Sequence, residues 1–156
     1  IPKPVTSLVF VSTIMHIVLA YTLFGRHTLA IGDNENAALT AGINVDLHRL
    51  TLYTLSGGLA GLAGLLFATR INSGDPTAGI SYELTAITAA IIGGTNLFGG
   101  RGSILGTIVG ALIMGVLQNG LNLLAVQSYY QQMAIGAVLI LAVFIDQFQQ
   151  RQETKV

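Results

Sequence analysis

The sequence predicts an all-α, polytopic membrane protein, with several transmembrane helices, one half-helix or re-entrant segment, and a short helix on the cytoplasmic side. Three observations carry this. Hydrophobic residues make up 52% of the 156 and charged residues only 9%, whereas a soluble domain carries about 25% charge. The mean hydropathy is +0.69. The apolar residues also fall in long runs without a polar face, separated by short polar stretches, and a spanning helix needs about 20 such residues.

The first run, residues 7–24, is apolar apart from hydroxyls and His16, and Gly25, Arg26 and His27 close it. Residues 31–48 hold Asp33, Asn34, Glu35, Asn36, Asn44 and Asp46, so this stretch cannot span. Within it, Glu35 to Leu39 favour a short helix, with Asp33 or Asn34 able to cap its start and Gly42 able to end it. The second run covers residues 50–69, closes at Arg70 and contains Gly57, Gly58, Gly61 and Gly64. Residues 71–82, with Asn72, Gly74, Asp75, Pro76 and Gly79, are expected to form a loop.

The third run, residues 84–92, is too short for a full crossing before Gly93 and Gly94, which predicts a half-helix or re-entrant piece. A glycine-rich loop over residues 95–103 precedes the fourth run, residues 104–125. The fifth run, residues 133–145, leads to Asp146 and a polar tail. Five passes result.

Lysine and arginine gather on the cytoplasmic side of membrane proteins. Arg26, His27, His48 and Arg49 bracket the first polar stretch, and Arg151 and Lys155 lie in the tail. Five crossings from an external N-terminal end place both groups inside, together with Arg101, and leave Lys3 and Arg70 outside. The chain begins at Ile1 instead of Met, so it is expected to be part of a longer protein.

Composition also excludes functions. Seven basic and seven acidic residues cancel, which gives no global attraction to nucleic acid. Without cysteine there are no disulfides, thiolate metal sites or thiol nucleophiles. His16, His27 and His48 lack ligand spacing, so no metal is expected. The glycines of residues 93–102 are not followed by the Lys and Ser or Thr of a phosphate-binding loop, so no nucleotide site or other cofactor site is expected either. No nucleophile elbow appears, and the chain is expected not to be an enzyme.

Four patterns have both a structural and a functional explanation. Gly57 with Gly61, and Gly102 with Gly106 and Gly110, recur every four residues, which places each set on one helix face for close packing or for sliding. Irregular backbone around residues 93–103 is either a hinge or the lining of a cavity. Gln118, Asn119 and Asn122 either bond neighbouring helices or line the path of a polar solute, with Gln118 and Asn122 on one face. The stretch around Glu35 is either a solvated connector or a docking element.

The string Ala30-Ile31-Gly32-Asp33-Asn34-Glu35-Asn36-Ala37-Ala38, followed by Gly42-Ile43-Asn44-Val45, resembles the coupling loop of ribose-type ABC transporter permeases. The resemblance continues through Pro76-Thr77-Ala78-Gly79, Gly93-Gly94-Thr95, Gly99-Gly100-Arg101-Gly102, Asn119-Gly120-Leu121-Asn122 and Tyr129-Tyr130-Gln131. It implies the C-terminal half of a permease that translocates a monosaccharide or similar small polar solute across a bacterial cytoplasmic membrane. It further implies that Glu35, Ala37, Ala38 and Gly42 belong to a coupling helix that meets a cytoplasmic ATP-binding subunit. The remaining implied partners are a second permease subunit, a periplasmic or extracellular solute-binding protein, and membrane lipid. An ion-coupled secondary transporter is the alternative, and it is disfavoured because Asp46, Glu83 and Asp146 all lie near the ends of apolar runs.

Overall fold

The computed structural model describes residues 3–71, 74 and 79–153, and divides into two compact units, residues 1–80 and 81–156. All regular structure among the described residues is helical. Asn72, Asp75, Pro76, Thr77, Ala78 and Lys155 lie outside the described residues, as do the side chains of Lys3 and Arg151.

The first unit holds α1 (Lys3–Tyr21), α2 (Leu23–Asp33), α3 (Glu35–Thr40) and α4 (Val45–Ile71). The single run expected over residues 7–24 is broken at Thr22, which takes extended backbone at φ −105° and ψ 160° and accepts a 3.3 Å bond from the Gly25 amide at its Oγ1. Gly25 is buried against the last turns of α1, and a Cβ there would overlap the Leu19 carbonyl, so the close approach of α2 to α1 requires glycine. Hydropathy could not show this break, because Thr22 and Gly25 are both tolerated in lipid.

Asn34 serves two helices. Its amide donates to the Ala30 carbonyl at the end of α2, while its Oδ1 accepts from the Ala37 amide at the start of α3. Helix α3 ends where the amides of Gly42 and Ile43 donate back to the Leu39 and Ala38 carbonyls, with Gly42 at φ +83°. Asn44 then accepts from the Leu47 amide at its Oδ1 and starts α4.

At 27 residues, α4 is about 40 Å long, more than the ~30 Å hydrocarbon core requires. It begins at Val45, five residues before the apolar run that predicts it. Asp46, His48 and Arg49 form a polar first turn that is helical yet too hydrophilic for a hydropathy reading to include.

The second unit holds α5 (Tyr82–Ile92), α6 (Ile104–Leu123) and α7 (Ser128–Glu153). Helix α5 lies against both α6 and α7, and its core is Ala89, Met114 and Ile135 with Ile92, Leu117 and Val138 around them. Gly93 stands opposite Gly106, and Ala89 opposite Gly110, so α5 and α6 run antiparallel. A Cβ on Gly106 would overlap the Gly93 carbonyl, and one on Gly110 the Ala89 carbonyl. Lipid supplies no hydrophobic drive to join helices, so this backbone approach is what van der Waals association of α5 and α6 rests on.

Among the described residues, four helices are long and apolar enough to cross a membrane: α1, α4, α6 and α7. At 11 residues, or about 16 Å, α5 is not. Large apolar side chains stand exposed along the long helices, among them Phe10, Tyr53, Leu65, Val116 and Ile140. Hydroxyls inside these runs bond to their own helix, as Thr13 does to the Val9 carbonyl at 2.7 Å and the buried Thr88 to Leu84 at 2.6 Å. Nothing polar is thereby left to face hydrocarbon at those positions.

Candidate functional site

The segment from Asn34 to Arg49 is built by three successive devices: the shared Asn34 cap, the left-handed turn at Gly42, and the Asn44 cap of α4. Between them lies α3, a six-residue helix. Ala38 is buried, whereas Glu35 and Ala37 are exposed. The two alanines therefore do different work, with Ala38 holding α3 to its own unit and Ala37 facing outward.

Two polar ties converge on the head of α4, one from α3 and one from α2. Arg49 Nη2 donates to Glu35 Oε2 at 2.5 Å, an ion pair whose two side chains are 48% and 45% exposed. An exposed pair of this kind contributes about 0–1 kcal/mol to stability. The second tie is partly buried. His48 is 8% exposed, its ring packs on Phe24 at 4.5 Å, and its Nε2 lies 2.9 Å from Thr28 Oγ1. The Thr28 hydroxyl gives its one proton to the Phe24 carbonyl at 2.8 Å, so it accepts from Nε2, and the neutral ring carries its hydrogen there. A pocket of about 410 Å³ opens beside His48, lined by Phe24, His27, Gly42, Asn44 and Leu47 among others.

In the second unit, Gln118 donates from Nε2 to Thr85 Oγ1 at 3.2 Å and so links α6 to α5. Asn122 accepts at Oδ1 from Gln131 Nε2 at 2.9 Å, which links the end of α6 to α7. Asn119 is exposed. Gly102 precedes α6, where a Cβ would only reach ordinary contact with the Thr95 methyl at 3.4 Å, so the glycine face of that helix starts at Gly106. Gly57 and Gly61 sit on α4 with open space where a Cβ would be.

Residue-type reasoning missed Arg49, Thr28, Thr85 and Gln131 as partners. Arg49 had a signal: it is a cation close in sequence to Glu35, beyond a predicted helix stop.

The four helices of membrane-spanning length and composition among the described residues make this a multi-pass membrane protein. The chain belongs to the family described as branched-chain amino acid transport system / permease component, whose model matches residues 5–143. Over 146 residues it is 50% identical to the ribose import permease protein RbsC of Bacillus subtilis, covering 94% of this chain and 45% of that protein. It is 47% identical to the Escherichia coli K12 ribose import permease protein RbsC, covering 94% of this chain and 46% of that protein. To the D-allose transport system permease protein AlsC of Escherichia coli it is 42% identical, covering 94% and 45%. The chain thus spans somewhat under half the length of these curated relatives. No solved structure matches it. The family is one of transport components, not enzymes.

Proposed function

We propose that the chain is the C-terminal part of the membrane-spanning permease subunit of an ABC importer, carrying ribose or a related monosaccharide across a bacterial inner membrane. The observation that carries this reading is 50% identity over 94% of the chain to a ribose import permease. The family model is described by branched-chain amino acids, but the similar relatives carry sugar names: ribose, D-allose, xylose and L-arabinose. A separate ATP-binding subunit drives the cycle by pressing on α3, a second permease subunit completes the path, and a solute-binding protein delivers the sugar. The exposure of Ala37 on α3 supports its role as the docking helix.

Gln118, Asn119 and Asn122 are the proposed polar groups along the path. Their amides suit a neutral sugar, which needs hydrogen-bond partners that can be exchanged as it moves. Energy enters only through differential binding of ATP and solute to the inward and outward states.

The test is uptake into proteoliposomes holding the full permease with its ATPase and binding protein, assayed with those four sugars. ATP-dependent accumulation of at least one is expected. Accumulation on an ion gradient without ATP would sink the reading. Ala37→Arg should abolish ATPase docking while the protein still assembles in the membrane; normal docking of that variant would remove α3 from the interface.

A further inference from the structure

A six-residue helix between two bends is a poor lever. An isolated helix of that length is not stable in water, and α3 is flanked by the reorientation at Asn34 and the left-handed turn at Gly42. Displacement applied to such an element would be absorbed by the bends unless something fixed it to a longer body. The longer body here is α4, whose 27 residues reach well beyond the first turn.

Two consecutive residues of that first turn make the connection. Successive side chains on a helix point about 100° apart, so His48 and Arg49 reach different neighbours: His48 meets Thr28 and Phe24 on α2, and Arg49 meets Glu35 at the head of α3. One tie holds α3 and the other holds α2 to the head of α4, and Asn34, which caps the end of α2 and the start of α3, joins the two. The half-exposed ion pair adds little to folding. Its geometric effect is larger, and it grows when a docked partner excludes water and raises the strength of the charge pair.

We propose that Arg49 and His48 are positioning residues that clamp α2 and α3 to the head of α4, through Glu35 and Thr28. Motion of the docking helix then passes into the spanning helix. The clamp rests on the permease reading above. It assigns to Glu35 an intramolecular partner in place of a direct contact with the ATPase.

A charge-reversal cycle separates the two roles. In the reconstituted full transporter, Glu35→Arg and Arg49→Glu are each expected to lower solute taken up per ATP hydrolysed by about fivefold. The double variant should return to within about twofold of wild type, as coupling between contacting residues demands. A double variant no better than the worse single overturns the clamp, as does an Arg49→Glu protein that stays fully coupled. Should the reversals fail to assemble, Glu35→Gln and Arg49→Gln complete the same cycle. The clamp then predicts that the double loses no more than either single, and losses that multiply overturn it.

The histidine tie has its own control. His48→Gln keeps an N–H donor near the Nε2 position and should retain coupling, while His48→Leu should lose it with membrane assembly unchanged. Equal coupling in these two proteins overturns the histidine's part. Absence of ATP-driven uptake in the wild type would instead strike the permease reading. A coupled wild type with an unrescued swap strikes the clamp alone.

Discussion

A methyl group on Gly110 would coincide with the carbonyl oxygen of Ala89, and because the obstacle is backbone, no rotamer change relieves it. Five residues on, Gly115 sits in the same helix with open space at its Cβ position. The pair isolates close approach from helix propensity. Gly110→Ala should destabilise the helix pair by about 1–3 kcal/mol, the usual cost of overpacking. Gly115→Ala should be neutral or stabilise by about 0.5–1 kcal/mol, since glycine is the costlier residue in a helix interior. Thermal unfolding in detergent reads both, and an equal shift in the two midpoints would refute backbone contact as the role of Gly110. Four-residue spacing alone made Gly106 and Gly110 legible as a helix face. It also included Gly102, because spacing does not reveal that Ser103 caps α6 and leaves Gly102 outside the helix, against Thr95.

Three helices stop by the same pair of backward hydrogen bonds, and the residue in the left-handed position differs among them. After α3 it is Gly42, after α5 it is Gly94, and after α6 it is Ala125 at φ +53°. An L-residue pays about 1–2 kcal/mol for this conformation, and glycine avoids that cost. Ala125→Gly is therefore expected to raise the stability of the α6–α7 connection by about 1 kcal/mol, and Gly42→Ala to lower that of the α3 turn by a similar amount. Opposite shifts in the unfolding midpoint support this, and shifts of one sign argue against it. The contrast shows what the sequence makes visible at this scale. Gly42 beyond a polar helix announces its stop, whereas Ala125 inside an apolar run gives no sign, and residues 104–125 accordingly read as one uninterrupted segment. The polar head of α4 was hidden for the reverse reason: hydropathy reports preference for lipid, while Asp46, His48 and Arg49 continue a helix beyond it. The site was partly legible in the same way. Asn34, Glu35 and Gly42 act within a few residues and could be read locally. Their ties to Thr28, His48 and Arg49 depend on how α2, α3 and α4 fold together, which no local pattern encodes.

For the whole molecule, the open quantity is the number of crossings. If only α1, α4, α6 and α7 cross, and residues 22–44 are cytoplasmic, then Arg101 and the tail with Arg151 and Lys155 fall outside. That arrangement opposes the enrichment of Lys and Arg in cytoplasmic loops. If the segment containing α5 also crosses, Arg26, Arg49, Arg101, Arg151 and Lys155 all lie inside, and only Lys3 and Arg70 lie outside. Helix α5 covers about 16 Å of a ~30 Å core, so it accounts for only part of that crossing. Its end is level with the start of α6, since Gly93 meets Gly106, so the glycine turns of residues 93–103 form a reversal at one face. The charge pattern therefore predicts five crossings, one of them containing α5. This stretch contains no cysteine, so single cysteines at Leu97 and Gln127 can be tested with a membrane-impermeant maleimide. Leu97→Cys should react only from the cytoplasmic side and Gln127→Cys only from the outside. Labelling of Leu97→Cys from the outside would make α5 a re-entrant piece and leave four crossings.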